Sequence, residues 1–268
     1  MKRKIIFRWI KLIIIVYCAI GIAGYYLQDR ILFHPEPLAK NSKYDFKETY
    51  KELDIPYDNE TNLNIIQFKT KDTAVKGVVL YFHGNQKNIG HYEKYVSNFT
   101  THNYEVWMMD YPGFGKSSGK FTEQRLYDYA LQLYKLARTK FIPANIIIYG
   151  KSFGSCLASQ LASVRDCKYL ILETPCYNMT SLVAHYFPVY PVKQMLHYHF
   201  PNNEYLKEVT APVIIFHGTS DWVVPYGNAY MLNEVLKNND EFVTIEHGSH
   251  NDLNDFPIFH QKLDSLLR

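Results

Sequence analysis

The chain has 268 residues, of which 47% are hydrophobic and 21% charged, enough for one α/β domain with a buried core and too few for two large domains. Its formal net charge is only +3, and much of the basic excess comes from Lys2, Arg3, Lys4, Arg8 and Lys11. Because the rest of the chain is close to neutral, nucleic acid is not expected as a partner.

A long apolar segment overlaps and follows these basic residues. Leu12–Leu27 carries no charge, and Ile5–Ile10 extends it with Arg8 as the only interruption. At about 1.5 Å per residue, Ile5–Leu27 can cross a hydrocarbon core of about 30 Å. We therefore predict an uncleaved signal anchor at residues 1–30, with a cytoplasmic N-terminus and the remaining chain on the other side of the membrane. The alternative is a signal peptide that is cleaved, so that the protein is secreted.

Residues 31–268 are expected to form one folded domain. Lys47–Ile55 and Leu63–Lys69 predict antiparallel strands, and strand and helix patterns alternate after them. The predicted strands are Lys76–Phe82, Tyr104–Met109, Asn145–Tyr149, Tyr169–Glu173, Val213–Phe216 and Phe242–Ile245, and the predicted helices are Ile89–Thr101, Thr122–Lys140, Ser155–Ala162, Tyr226–Leu236 and Phe256–Leu267. This alternation predicts an α/β fold with a mainly parallel sheet and helices on both faces.

One long insertion interrupts the alternation, at about residues 174–207. It contains the aromatic residues Tyr177, Tyr186, Phe187, Tyr190, Tyr198, Phe200 and Tyr205. A long insertion after a strand of a parallel sheet lies at the edge where such sheets bind their ligands. We therefore predict a small lid over a site.

Three chemically reactive side chains follow three of the predicted strands. The sequence Gly150–Gly154 is a G-x-S-x-G motif between a strand and a helix, a nucleophile elbow that would expose Ser152 on a sharp turn. Asp221 follows the Val213 strand and His250 follows the last strand. A serine hydroxyl needs a neighbouring base, and that base needs an orienting acid. The sequence thus predicts a catalytic triad of Ser152 as nucleophile, His250 as base and Asp221 as acid.

Other residues are candidates for the oxyanion hole, or are alternatives to the acid and the base of this triad. The backbone N–H groups of Asn85 and Phe153 are expected to form an oxyanion hole. The His83 side chain is expected to be structural. Asp110 is an alternative acid and His247 an alternative base, although their surrounding motifs favour them less.

Five motifs occur in register along the chain: HGN, DYPGFGKSSG, GKSFG, HGTSDWVVP and GSHND. Together they resemble the α/β-hydrolase superfamily, and in particular its membrane-anchored serine hydrolases; serine aminopeptidase-like hydrolases and acyl-protein thioesterases are similar too. The resemblance covers about residues 53–268. It implies a sheet of about eight strands and acyl transfer through a serine, whereas the substrate varies widely within the superfamily.

Three functions are consistent with these features. The first is hydrolysis of a carboxylic ester or thioester of a small or lipid-like acyl substrate. The second is cleavage of a peptide or amide, as in the aminopeptidases, for which Glu173 or Glu204 would hold the substrate ammonium group. The third, remote alternative is a non-catalytic binding protein tethered to the membrane.

The cysteine and metal-ligand patterns point to no cofactor. No His, Asp or Glu cluster has metal-ligand spacing, so neither a metal nor an organic cofactor is expected. The four cysteines are predicted to be free thiols, with a Cys167–Cys176 disulfide as the alternative for a domain outside the cytoplasm.

Overall fold

A single long helix precedes the folded domain in the computed structural model, which describes residues 2–268. Helix α1 spans Lys2–Leu32 without a break. It is long and apolar enough to cross a membrane, as the sequence predicts, and a signal sequence would share this length and composition. The large apolar side chains between Ile5 and Val16 are exposed, so this part of the helix is not buried in a protein core.

The domain is built on an eight-stranded sheet. The strands of the chain are β1 (His34–Pro35), β2 (Tyr50–Pro56), β3 (Asn62–Phe68), β4 (Gly77–Phe82), β5 (Gln86–Lys87), β6 (Tyr104–Met109), β7 (Ile146–Lys151), β8 (Tyr169–Glu173), β9 (Val213–Gly218) and β10 (Glu241–Ile245). The large sheet has the order β10-β9-β8-β7-β4-β6-β3-β2, and β3 pairs antiparallel with both its neighbours while the other pairs are parallel. The predicted mainly parallel α/β sheet is confirmed.

Helices cover both faces of this sheet. The helices after α1, including those of the insertion, are α2 (Ile89–Tyr92), α3 (Ser97–Thr100), α4 (Glu123–Arg138), α5 (Gly154–Val164), α6 (Met179–Tyr186), α7 (Val192–Met195), α8 (Asn202–Glu208), α9 (Tyr226–Tyr230) and α10 (Pro257–Leu267). Alternate residues of β4 face opposite sides, so Val78 and Leu80 join the core under α4 and α5, whereas Val79 and Tyr81 join the core under α3 and α10. With both faces covered, the carboxyl ends of the strands are left as the accessible edge.

Two predicted helices are shorter than expected. The predicted helix at Ile89–Thr101 is divided into α2 and α3 by a 3₁₀ turn at Glu93–Tyr95, and a 3₁₀ turn at Met231–Val235 follows α9. Ile89, Tyr92 and Tyr95 are all buried and recur every third residue. Residues three apart lie on the same side of both an α-helix and a 3₁₀ turn, so the three side chains stay buried although the helix type changes between them.

The insertion between β8 and β9 folds as a helical segment. Helices α6, α7 and α8 lie in the sequence between β8 and β9, where the lid was predicted.

Within residues 2–268 all four cysteines are free, so the alternative Cys167–Cys176 bridge is wrong and the prediction of free thiols agrees with the structure.

Candidate active site

Ser152 lies on a sharp turn between β7 and α5. Its backbone has a φ of +51°, in the left-handed region that a serine rarely adopts. The turn brings backbone segments into close contact: a Cβ on Gly154 would lie 2.0 Å from the carbonyl oxygen of Phe82, and one on Gly150 would lie 2.5 Å from the Cα of Ser155. Glycine at these two positions therefore lets the helix return tightly against the sheet, and this leaves the Ser152 side chain at the strand-end edge.

The structure brings together the three side chains that the motifs predict. His250 Nε2 lies 2.8 Å from Ser152 Oγ, and His250 Nδ1 lies 2.8 Å from Asp221 Oδ2. The other carboxylate oxygen of Asp221 accepts hydrogen bonds from the backbone N–H groups of Val223 and Val224, both at 2.8 Å. A base is thus hydrogen-bonded to a hydroxyl on one side and to a fixed carboxylate on the other, the arrangement that activates a nucleophile.

The charges in this group follow from burial and hydrogen bonding. Burial by itself raises the pKa of Asp221, but the hydrogen bond and charge of His250 outweigh it, so the pKa of this carboxyl lies below its ordinary value. His217 is also close, with Nε2 3.4 Å from Asp221 Oδ2 and 2.9 Å from the Val224 carbonyl. Burial lowers the pKa of His217, so its ring is neutral at neutral pH. Asp221 is therefore an ionised partner for His250.

The alternative acid and base lie elsewhere. Asp110 accepts a hydrogen bond from the Ile89 N–H at 2.9 Å and lies 3.3 Å from His83 Nε2, so it organises the turn around α2. His83 is fully buried and its Nδ1 lies 2.8 Å from the Gly84 carbonyl, as expected of a structural histidine. His247 is exposed, and its N–H donates to the Thr219 hydroxyl. Neither alternative contacts the Ser152 hydroxyl.

Asn85 and Phe153 border the same cavity as Ser152. Among the hydrogen bonds formed by residues 2–268, neither of their backbone N–H groups donates to another protein group. The Asn85 side chain donates instead to the Leu32 carbonyl at 2.6 Å, which joins this turn to the end of α1. Two backbone donors that lack a protein acceptor beside a serine hydroxyl are what an oxyanion hole requires.

The cavity is large and mainly apolar. It encloses about 560 Å³, within the range of roughly 300–1,000 Å³ that is typical of small-molecule sites. Its lining comes mostly from α1, from the insertion and from the turn that carries Ser152, with Asn85, Val223 and Val224 beside them, and no Asp or Glu of residues 2–268 contributes to it. Sequence reasoning missed the contribution of α1, because hydropathy alone treats an apolar helix as facing lipid.

Glu173 and Glu204, the two carboxylates considered as ammonium ligands, are both engaged elsewhere. Glu173 is fully buried and accepts hydrogen bonds from Lys151 Nζ and the Tyr149 hydroxyl. Glu204 is exposed on α8 and pairs with Lys207 at 2.9 Å. The buried Lys151–Glu173 pair was not predicted from the sequence, although the two residues are paired at the ends of adjacent strands β7 and β8.

Comparisons with known proteins agree with this architecture. The family model for serine aminopeptidase, S33, matches residues 73–205. Human alpha/beta hydrolase domain-containing protein 17B is 33% identical over 181 residues, which cover 66% of this chain and 62% of that protein. Alpha/beta hydrolase domain-containing protein 17C of Xenopus tropicalis is 31% identical over 192 residues, covering 70% and 61%. The chain thus spans less than two thirds of the length of either relative.

Solved structures share the fold at lower sequence identity. An esterase of Pyrococcus furiosus matches with a TM-score of 0.67 and 18% identity, covering 88% of this chain and 97% of that one. An alpha-beta hydrolase of Vibrio vulnificus matches with a TM-score of 0.67 and 17% identity, covering 81% and 80%. The sheet order, the motifs at its strand ends and these similarities lead to one conclusion: the chain belongs to the α/β-hydrolase superfamily.

Proposed function

We propose that the protein is a serine hydrolase that cleaves a carboxylic ester or thioester through an acyl-serine intermediate. The observation that carries this proposal is the imidazole of His250, which lies 2.8 Å from the Ser152 hydroxyl on one side and 2.8 Å from the Asp221 carboxylate on the other. A serine hydroxyl is a weak nucleophile at neutral pH, and this arrangement supplies the base that it needs.

The chemistry follows from these contacts. His250 accepts the proton of Ser152 as Oγ attacks the acyl carbonyl carbon, and it then donates that proton to the departing alcohol or thiol. A water molecule, deprotonated in the same way, attacks the acyl-serine and releases the carboxylic acid. The ionised carboxylate of Asp221 fixes the imidazole orientation and stabilises the imidazolium that forms in each half of the reaction.

The N–H groups of Asn85 and Phe153 are proposed to bind the oxyanion of each tetrahedral intermediate. Both residues border the cavity beside Ser152. Loss of one such donor typically reduces the rate by about 10²–10³. Because the donors belong to the main chain, substitution of the Asn85 side chain would not remove them.

The apolar cavity favours an acyl group over a charged peptide terminus. An aminopeptidase must hold the substrate ammonium near the scissile bond, and none of the described residues that line the cavity is a carboxylate. Glu173 is buried in its ion pair with Lys151, and Glu204 lies on the exposed side of α8. The match to the serine aminopeptidase model supports amide hydrolysis as a second candidate. The intact hydrogen-bonded triad argues against a purely non-catalytic binding role.

The site is also proposed to work at a membrane. In this proposal residues 1–30 are the anchor, residues 31–268 the catalytic domain and residues 174–207 its lid. The basic residues before the apolar run favour a cytoplasmic N-terminus and a catalytic domain on the other side. Protease treatment of sealed membrane vesicles measures this orientation, since only a domain on the outer side of the vesicle is digested.

Labelling with a fluorophosphonate probe tests the nucleophile. The full chain in detergent micelles should be labelled covalently, and the Ser152→Ala variant should not. Equal labelling of the two proteins would exclude Ser152 as the nucleophile. A panel of p-nitrophenyl acyl esters against aminoacyl anilides then separates the two candidate functions, because turnover of anilides alone would contradict the ester proposal.

A further inference from the structure

The second half of α1 faces the cavity that holds Ser152. Six of its residues that border the cavity are Ile20, Gly21, Ala23, Gly24, Leu27 and Ile31. Each of them has another member of the set three or four residues away, so they share one side of the helix. At 1.5 Å per residue, the stretch from Ile20 to Ile31 extends about 17 Å along the cavity. The helix predicted to be only an anchor therefore contributes a wall to the candidate active site.

Specific contacts hold this side of α1 against the insertion. The Tyr17 hydroxyl donates to the Val189 carbonyl and the Tyr190 hydroxyl donates to the Tyr17 carbonyl, each at 3.0 Å. The two tyrosine rings stack with centroids 4.6 Å apart. Such reciprocal bonds fix the position of the helix beside the insertion, rather than leaving it free to turn about its axis.

A second contact lies about three turns further along the same helix, at Gln28. The buried Gln28 side chain donates to the Met195 carbonyl at 3.2 Å and accepts from the His197 N–H at 2.8 Å. A buried amide with both its donor and its acceptor paired specifies one orientation of the helix. With Tyr17 and Gln28 both held, the residues between them keep their side toward the cavity.

Two glycines on this side differ in what they face. A Cβ on Gly21 would lie 3.0 Å from the Tyr190 ring, so this glycine allows the insertion to approach. A Cβ on Gly24 would meet no atom within 4 Å, so this position borders open space in the cavity. A side chain at Gly24 would therefore start, at its Cβ, in space that is now available to a bound molecule.

The position of the cavity along α1, compared with the position of the apolar run, indicates from which side a ligand enters. The run continues to Leu27, so the cavity wall from Ile20 onward begins inside it. On the opposite side of α1, Ile22 and Tyr26 are 60% and 76% exposed, as expected of a surface that meets lipid. The insertion contact at Tyr17 lies within the same run, and Phe187 and Val189 of the insertion are exposed beside it. An acyl chain in the outer part of the bilayer would lie next to the cavity.

We propose that the apolar side of α1 forms one wall of the acyl-binding pocket, and that Gly24 determines how long an acyl chain this pocket accepts from the membrane. The inference rests on the proposed function, because it assumes that the acyl group attached to Ser152 occupies the cavity. It assigns a specificity-determining residue to a segment that would otherwise serve only to attach the enzyme.

Alkyl fluorophosphonates of two lengths test this assignment on the full chain in phosphatidylcholine vesicles. We expect the ratio of the labelling rates for the dodecyl and ethyl probes to fall at least tenfold in Gly24→Leu, which is the low end of the roughly 10–200-fold discrimination that methylene-sized changes produce. Ile22→Phe enlarges a side chain on the lipid side of the same helix and should leave the ratio unchanged. Leucine also favours a helix more than glycine does, so α1 is retained. An unchanged ratio in Gly24→Leu would overturn the proposal.

A binding measurement keeps the inference separate from the proposed chemistry. The Ser152→Ala variant cannot be acylated, yet a long-chain fatty acid with a diazirine at its far end should still crosslink to residues 20–24 of α1. Crosslinks in the wild-type cavity without any fluorophosphonate labelling would contradict the proposed function alone. Crosslinks confined to other segments would refute the pocket wall, even if Ser152 proves to be the nucleophile.

Discussion

Removal of the Lys151 charge should destabilise the domain more than removal of most lysines. Lys151 and Glu173 are both buried, and their side chains form an ion pair directly behind Ser152. In Lys151→Met the Glu173 carboxylate would remain buried without a cation, a change that typically costs about 3–5 kcal/mol. Glu173 keeps the Tyr149 hydroxyl and has the Asn254 amide at 3.4 Å, so we expect the lower end, about 3 kcal/mol. A domain of ordinary stability, about 5–15 kcal/mol, would lose a substantial part of it.

Urea unfolding of the full chain in detergent micelles measures this loss, followed by tryptophan fluorescence with Trp9 and Trp222 replaced by phenylalanine so that the buried Trp107 gives the signal. Urea is preferred because guanidinium would screen the ion pair. Lys140→Met is the matched control: Lys140 is half exposed, and its partner Glu105 keeps a second lysine, so we expect a loss below about 1 kcal/mol.

A second variant separates the ion pair from ordinary packing effects. Removal of both charges in Lys151→Met with Glu173→Gln should recover at least about 2 kcal/mol relative to the single variant, because no unpaired buried charge is left. A loss below about 1 kcal/mol in Lys151→Met, or a double variant that is as unstable as the sum of the singles, would refute the reasoning.

Three further changes test the candidate site. Asp221→Asn should reduce kcat by about 10⁴, because an amide stabilises neither the required tautomer nor the cation of His250, and a reduction below tenfold in ester hydrolysis would contradict this role. Gly154→Ala should lower the free energy of unfolding by about 1–3 kcal/mol or more, since its Cβ would lie 2.0 Å from the Phe82 carbonyl oxygen; unchanged urea unfolding would show that the turn relaxes freely. Burial lowers the pKa of His217 in the folded state, so below about pH 6.5 the unfolded chain binds a proton that the folded chain does not, and the free energy of unfolding decreases as the pH is lowered. His217→Gln should make this decrease smaller between about pH 7 and pH 5. Equal pH dependence of unfolding in the two proteins would exclude this role of His217.

The sheet was predictable because its strands are short apolar runs between turn residues. The strands at Tyr104–Met109 and Tyr169–Glu173 have the predicted bounds. Each is buried on both faces, and such strands read as continuous hydrophobic segments. The positions of Ser152, Asp221 and His250 at one edge then follow from the parallel direction of the strands that precede them.

Features that depend on pairing between distant segments were harder to predict. The residues at 89, 92 and 95 fit both an α-helix and a 3₁₀ turn over so short a stretch, so their spacing did not reveal the break between α2 and α3. Lys151 and Glu173 carry opposite charges at the ends of two strands, a signal that becomes meaningful only when those strands are known to be neighbours in this register.

The same limit applies to helix α1, to which we assign a part in substrate choice. A run that is apolar on every side predicts burial in lipid, and hydropathy assigns the same score to a side that faces lipid and to one that faces an apolar cavity. A polar residue distinguishes the two sides: Gln28 directly follows the apolar run on one of them, and its amide is hydrogen-bonded to the insertion. Because a glutamine exposed to hydrocarbon would leave its hydrogen bonds unmade, its presence beside Gly24 indicates that this side of the helix meets protein. The small residues around it then leave space at the end of the site where, in our proposal, an acyl chain enters from the membrane.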